Sequence, residues 1–197
     1  PYIVTGWVLG VFTLSLWHLG GWTHLRRLRR RLTKQADETL LVKLGALVEK
    51  LRITRAVGLL ESALVQIPTV VGWVRPVILL PATALTGLTS DQVEALLAHE
   101  LAHVRRCDYL VNILQTVVEI LGFYHPAVWW ISNKIRLERE NCCDDMAVAI
   151  CGDKMHYATA LAEMERIRSA PGDLALAANG GNLLVRIRRL IGGSPAP

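Results

Sequence analysis

The pentad His99-Glu100-Leu101-Ala102-His103 constrains this chain more than any other stretch of it. Its chemistry needs an α-helix. Successive residues advance 100°, so side chains at i and i+4 share one face about a turn apart. Two imidazoles set that way can hold one zinc ion, and Glu100, beside the first, lies near enough to take a proton from a water at the metal. The bland alternative is a surface histidine pair on an ordinary helix. The flanking residues argue against it. Thr89 and Gln92 form a capping-box pair at a helix start, and Val93, Leu96, Leu97, Leu101 and Val104 supply an apolar stripe. Histidines buried in that company need partners, and a metal would satisfy them.

A catalytic zinc needs a third protein ligand and an open position. The best source is the run from Arg136 to Asp145, which carries Glu138, Glu140, Cys142, Cys143 and Asp144. Pro126 suits the first turn of the helix that would hold it. Glu140 and Asp144 are again i and i+4. Glu138 is the rival carboxylate but has no aspartate four residues on, and thiolates from Cys142 and Cys143 suit a closed structural site better. Asp108, just after the pentad helix, reads as a helix cap or as a group behind the ligands. Tyr124 and His125 fall at a break before Pro126 and are candidate donors to the oxyanion of a hydrolytic reaction. Capping of the next helix is the plainer role for His125.

The spacing of Glu140 and Asp144 resembles that of the gluzincin metallopeptidases. That resemblance implies Glu140 as the third zinc ligand and Asp144 as the acceptor of a hydrogen bond from a ligand histidine, His99. Three separated strings, His-Glu-Leu-Ala-His-Val-Arg-Arg-Cys-Asp (99–108), Phe-Tyr-His-Pro-Ala-Val-Trp-Trp (123–130) and Glu-Arg-Glu-Asn-Cys-Cys-Asp-Asp-Met-Ala-Val (138–148), resemble in order the BlaR/MecR-type membrane metallopeptidases. The resemblance runs from the first hydrophobic segment to about residue 170. It implies a zinc endopeptidase of the kind found in β-lactam sensor-transducers, where an extracellular sensor binds the antibiotic and a cytoplasmic peptidase inactivates a transcriptional repressor. No Ser-x-x-Lys motif of a penicillin-binding kind occurs in the chain.

Tyr2 to Trp22 contains no Asp, Glu, Lys or Arg. As a helix it would span ~31 Å, about the thickness of a bilayer core. Charge follows this run instead of preceding it, unlike a signal peptide. Arg26, Arg27, Arg29, Arg30, Arg31 and Lys34 come next. By the positive-inside rule they put the domain at the cytoplasmic face of a bacterial cell membrane. Without these six the formal net charge of +5 becomes −1. The basicity is therefore juxtamembrane and suits anionic lipid better than nucleic acid. The four cysteines have no disulfide-framework spacing and fit a reducing compartment.

The expected architecture is α+β, mostly helical: a gluzincin-like zinc peptidase domain with a small β-sheet and an N-terminal transmembrane helix. The expected divisions are a transmembrane helix over 1–24, a basic juxtamembrane linker over 25–38, the peptidase over 39–170, and a linker with a short basic amphipathic segment over 171–197. The start at Pro1 and the Gly-Gly-Ser-Pro-Ala-Pro end suggest an excised segment. Ala36–Thr54 reads as an amphipathic helix, and Val57–Glu61, Thr69–Trp73 and Val77–Leu80 read as short strands. Thr69–Trp73 is the choice for an edge that binds extended substrate. Tyr109–Phe123 is apolar with one polar stripe and is expected as a buried domain helix rather than a second span. Leu183–Ile191, with its arginines, reads as a helix at the membrane surface. His156 is expected to face solvent. The expected partners are a protein or peptide substrate, with a transcriptional repressor as the candidate that the resemblance implies, and the membrane. Two other functions are compatible: a broad-specificity membrane quality-control peptidase, and a non-catalytic signalling module shaped by zinc. The intact Glu100 argues against the latter.

Overall fold

The computed structural model describes residues 1–28, 33–169 and 176–192. Arg29, Arg30 and Arg31 lie outside them, as do the side chains of Arg26 and Arg27, so of the charge run that set the expected orientation only the Lys34 side chain, in β1, belongs to the described structure. The chain is mostly helical with a small mixed sheet. The elements run α1 (Tyr2–Leu28), β1 (Thr33–Gln35), α2 (Glu38–Lys50), β2 (Gly58–Ser62), β3 (Thr69–Val71), β4 (Val77–Pro81), α3 (Ala82–Gly87), α4 (Ser90–Arg106), α5 (Asp108–Leu121), α6 (Pro126–Cys151), α7 (Lys154–Arg168) and α8 (Leu176–Ile191).

The sheet order is β1-β2-β4-β3. β2 and β4 pair in parallel, and β1 and β3 add antiparallel strands at the two edges. Val77-Ile78-Leu79-Leu80 is a continuous apolar run because β4 is covered on both faces. Alternation divides it. Ile78 and Leu80 join the main core with α2, α4 and α7, while Val77 and Leu79 pack with Val71 on the other face. Thr69–Val71 is thus one of two edge strands, shorter than the expected Thr69–Trp73. β1 lies in what reads as a linker, because Thr-Lys-Gln carries no strand pattern and pairs only through β2.

α4 is the central helix. Its capping box forms as expected, with the Gln92 N–H donating to Thr89 Oγ1 at 3.3 Å and the Thr89 N–H donating to Gln92 Oε1 at 2.9 Å. Val93, Leu96, Leu97, Leu101 and the small Ala95, Ala98 and Ala102 are all buried, which lets α6 and α7 approach its backbone closely. Leu97 is fully buried. Leu97→Ala is expected to cost ~2–5 kcal/mol in stability, read from a denaturant midpoint.

α5 departs from the expectation of a buried helix. Part of its polar side turns inward: Asp108, Gln115 and Glu119 are buried and Thr116 half-buried, while Asn112 is exposed, as are Leu110, Val111, Ile113, Leu114, Val117, Val118 and Leu121. The inward residues have partners. Gln115 Nε2 donates to the Ser132 carbonyl at 2.9 Å and to Glu119 at 3.2 Å, and Arg136 pairs with Glu119. The C-terminal region also differs from a linker with a surface helix. α8 packs on α7 and α6, with Leu190 buried and Arg189 paired to Asp145, because Asp144 and Asp145 offer its arginines better partners than water does. His156 is half-buried rather than solvent-facing.

Candidate functional site

α4 presents His99 and His103 one turn apart, and α6 crosses them with Glu140. The Nε2 atoms of the two histidines are 3.2 Å apart, His99 Nε2 is 3.5 Å from Glu140 Oε2, and His103 Nε2 is 3.7 Å from Glu140 Oε1. A tetrahedral zinc with bonds of ~2.0–2.1 Å has ligand–ligand edges of about 3.3–3.4 Å. The three donor atoms therefore already stand close to the corners that such an ion requires.

The far sides of the rings say which atoms are free to bind. His103 Nδ1 is 2.7 Å from Asp108 Oδ2. His99 Nδ1 is 2.8 Å from the Tyr157 hydroxyl, which itself donates to Asp144 Oδ1 at 2.6 Å, and Nδ1 lies 3.2 Å from the same Asp144 oxygen. These acceptors fix the Nδ1–H tautomer on both rings, leaving two Nε2 lone pairs aimed at each other. Nε2 atoms that close need a positive charge between or beside them. Burial disfavours charge on His99, but hydrogen bonds to Asp144 and Glu140 and the field of Glu100 outweigh it and push its pKa up to about 9, so a proton on Nε2 and a metal ion compete for the same anionic position beside Glu140. Burial likewise opposes charge on Glu140, yet His99 and Arg186 hold its carboxyl down to about 2. The residues present fit a bound divalent metal.

A second set of donor types, His103, Asp108 and Cys143, lies beside the first. The 2.7 Å between His103 Nδ1 and Asp108 is a hydrogen bond, too short for two ligands on one zinc. Burial and the neighbouring Asp108 also raise the Cys143 thiol, which donates to Asp108 at 3.4 Å. Cys143 therefore packs behind His103 as a neutral thiol.

Glu100 follows His99 on the helix and faces a cleft of about 600 Å³. The edge strand β3 lines the same cleft through Thr69 and Val70, opposite Glu140 and Arg186. Arg186, reaching in from α8, grips Asp144 with two nitrogens at 2.6 and 2.9 Å and stands 3.2 Å from Glu140 Oε2. Despite its burial, Asp144 is held below the ordinary carboxylate range by Arg186 and His99.

The pentad, Glu140, Asp144 and Asp108 thus converge. Glu138 does not; it is exposed and takes a long contact from Asn141. Tyr124 and His125 are not at the cleft. They sit beyond the far end of α5, about 20 Å of helix from Asp108, and His125 Nδ1 caps α6 by accepting from the Ala127 N–H at 3.2 Å. Tyr157 and Arg186 carried no sequence signal of their own. Tyr157 opens an ordinary amphipathic helix, and Arg186 belongs to a basic cluster that reads as a surface.

The BlaR1 peptidase M56 family matches residues 1–190. Regulatory protein BlaR1 of Bacillus licheniformis is 27% identical over 187 residues, 94% of this chain and 31% of that protein. The methicillin resistance mecR1 protein of Staphylococcus aureus is 27% identical over 89 residues, 45% of this chain and 15% of that protein. The chain thus spans less than a third of the length of these relatives. A match that takes in the pentad, the α6 carboxylates and Arg186 together means that this chain belongs to the BlaR1 peptidase M56 family.

Proposed function

We propose that the chain is the catalytic part of a gluzincin-type zinc endopeptidase, anchored in a bacterial cell membrane by α1, facing the cytoplasm and cutting a regulatory protein of the repressor class. The observation that carries the reading is the triad of donor atoms 3.2–3.7 Å apart, with both Nδ1 atoms committed to acceptors. His99, His103 and Glu140 would hold the ion. Bound zinc lowers the pKa of a water and polarises a carbonyl. Asp108 and the Tyr157–Asp144 pair keep both imidazoles oriented. The Glu100 carboxylate takes the proton of the attacking water and delivers it to the leaving amine nitrogen. The β3 edge aligns an extended substrate along the cleft by backbone hydrogen bonds. The charge-free stretch of α1, with Tyr2–Gly21 long and apolar enough to cross a membrane, supports the anchor.

Purified protein is expected to carry about one zinc per chain. Chelation should remove proteolysis and zinc should restore it; hydrolysis persisting in rigorously metal-free protein overturns the reading. Asp108→Asn is expected to weaken zinc affinity ~10–100-fold in competition with a chromogenic chelator, because His103 loses its carboxylate acceptor.

A further inference from the structure

We propose that α5 and the first turns of α6 form a helical hairpin inserted in the bilayer beside α1, its exposed face against lipid acyl chains. This rests on the membrane reading of α1. α5 is built inside out for water. Seven large apolar side chains are exposed on it, Leu114 at 66%, and the start of α6 adds Trp129, Trp130 and Ile131, with Trp130 at 64%. Soluble proteins rarely expose so much contiguous apolar surface.

Gln115 and Glu119 are turned inward and joined, Thr116 bonds the Asn112 carbonyl of its own helix, and Asn112 is exposed at the cleft end of α5. Gln115 bonds the Ser132 carbonyl and Glu119, and Arg136 neutralises Glu119. Lipid favours the pairing of Glu119 with Arg136 and of the Gln115 amide N–H, since it can solvate neither a carboxylate nor a free donor, although the buried Gln115 Oε1 has no partner among the described residues. The surface is also continuous with α1. The Trp7 indole N–H donates to the Leu121 carbonyl at 3.0 Å, and the Phe123 ring lies so close over Gly10 that a Cβ there would meet it at 2.5 Å. The turn between α5 and α6 is thereby tied to the N-terminal third of α1. At 14 residues α5 is ~21 Å long, too short to span alone but enough to run from that turn back to Asp108 at the site. Asn133 and Lys134, exposed two turns further along α6, mark where it leaves the acyl region, the lysine reaching for the headgroups. The hairpin fixes the cleft at the membrane surface, so substrate must approach there.

The test attaches bimane to Leu114→Cys and Trp130→Cys in the full chain, reconstituted in phosphatidylcholine vesicles with brominated acyl chains. Leu9→Cys on α1 and Glu138→Cys on the exposed side of α6 are references, and labelled wild type sets the background of native thiols. Leu114 and Trp130 are expected to lose about half their emission, as Leu9 does, with Glu138 unchanged. Quenching at Leu9 alone overturns the hairpin and leaves the anchor standing, and means that water, a second copy or another protein covers this face. Quenching at none of the three overturns both, while the zinc content of the same samples reports on the peptidase reading separately.

Discussion

Replacing Glu100 with glutamine is expected to lower proteolysis by at least ~10²–10⁴-fold while zinc stays near one per chain and the fold is kept. The side chain is isosteric, sits on the cleft side of α4, and is not among the donors that meet at the metal position. An amide cannot accept the proton of the attacking water. Loss of activity together with retained metal separates the base from the ligands, since His99→Ala removes one of three donors and should lose both. An E100Q protein with near wild-type turnover would exclude Glu100 as the base. It would favour a centre in which zinc only shapes the fold.

Asp144→Ala is expected to destabilise the metal-free protein by ~3–5 kcal/mol, because it strands a largely buried guanidinium. Asp144 is fully buried and is shared by Tyr157, His99 and the Nε and Nη2 donors of Arg186. The double variant Asp144→Ala with Arg186→Leu should recover part of the loss, as removing both partners leaves no uncompensated charge. Asp144 is held below its ordinary 3.8, so its contribution is present above that pH and is lost as pH falls through the folded value; near neutrality the full effect is measured. The same substitution should weaken zinc binding ~10–100-fold, through loss of the acceptor that orients His99. A denaturant midpoint unchanged within the spread of surface substitutions would mean that α8 does not dock on α6 as described.

The parts of the site legible in the sequence are those carried by helical periodicity. His99 and His103, then Glu140 and Asp144, are each i and i+4, so a single rule puts each pair on one face. The capping box at Thr89 marked where α4 begins, and β-branched residues between Pro and Gly located β3 and β4, whereas β2, Gly-Leu-Leu-Glu-Ser, holds none. What escaped is set by tertiary packing. Arg186 is separated from Asp144 by 42 residues, and nothing local distinguishes it from Arg188 on the surface. Tyr157 is one aromatic on an amphipathic helix until its hydroxyl meets Asp144. Tyr124 and His125 were misplaced by adjacency to a helix break, since α5 carries them a helix length away. For α5, periodicity revealed the two faces but not which one meets the protein, because a polar stripe points outward in water and inward in lipid.

X-ray absorption at the zinc K-edge on the purified protein tests the central claim most directly. Two imidazole nitrogens, a carboxylate oxygen and a water would give a first shell of nitrogen and oxygen scatterers at about 2.0–2.1 Å, with imidazole outer-shell features and no sulfur. A sulfur scatterer near ~2.3 Å would move the ion to Cys143 and the Asp108 side of His103, away from Glu100, and contradict the proposed centre.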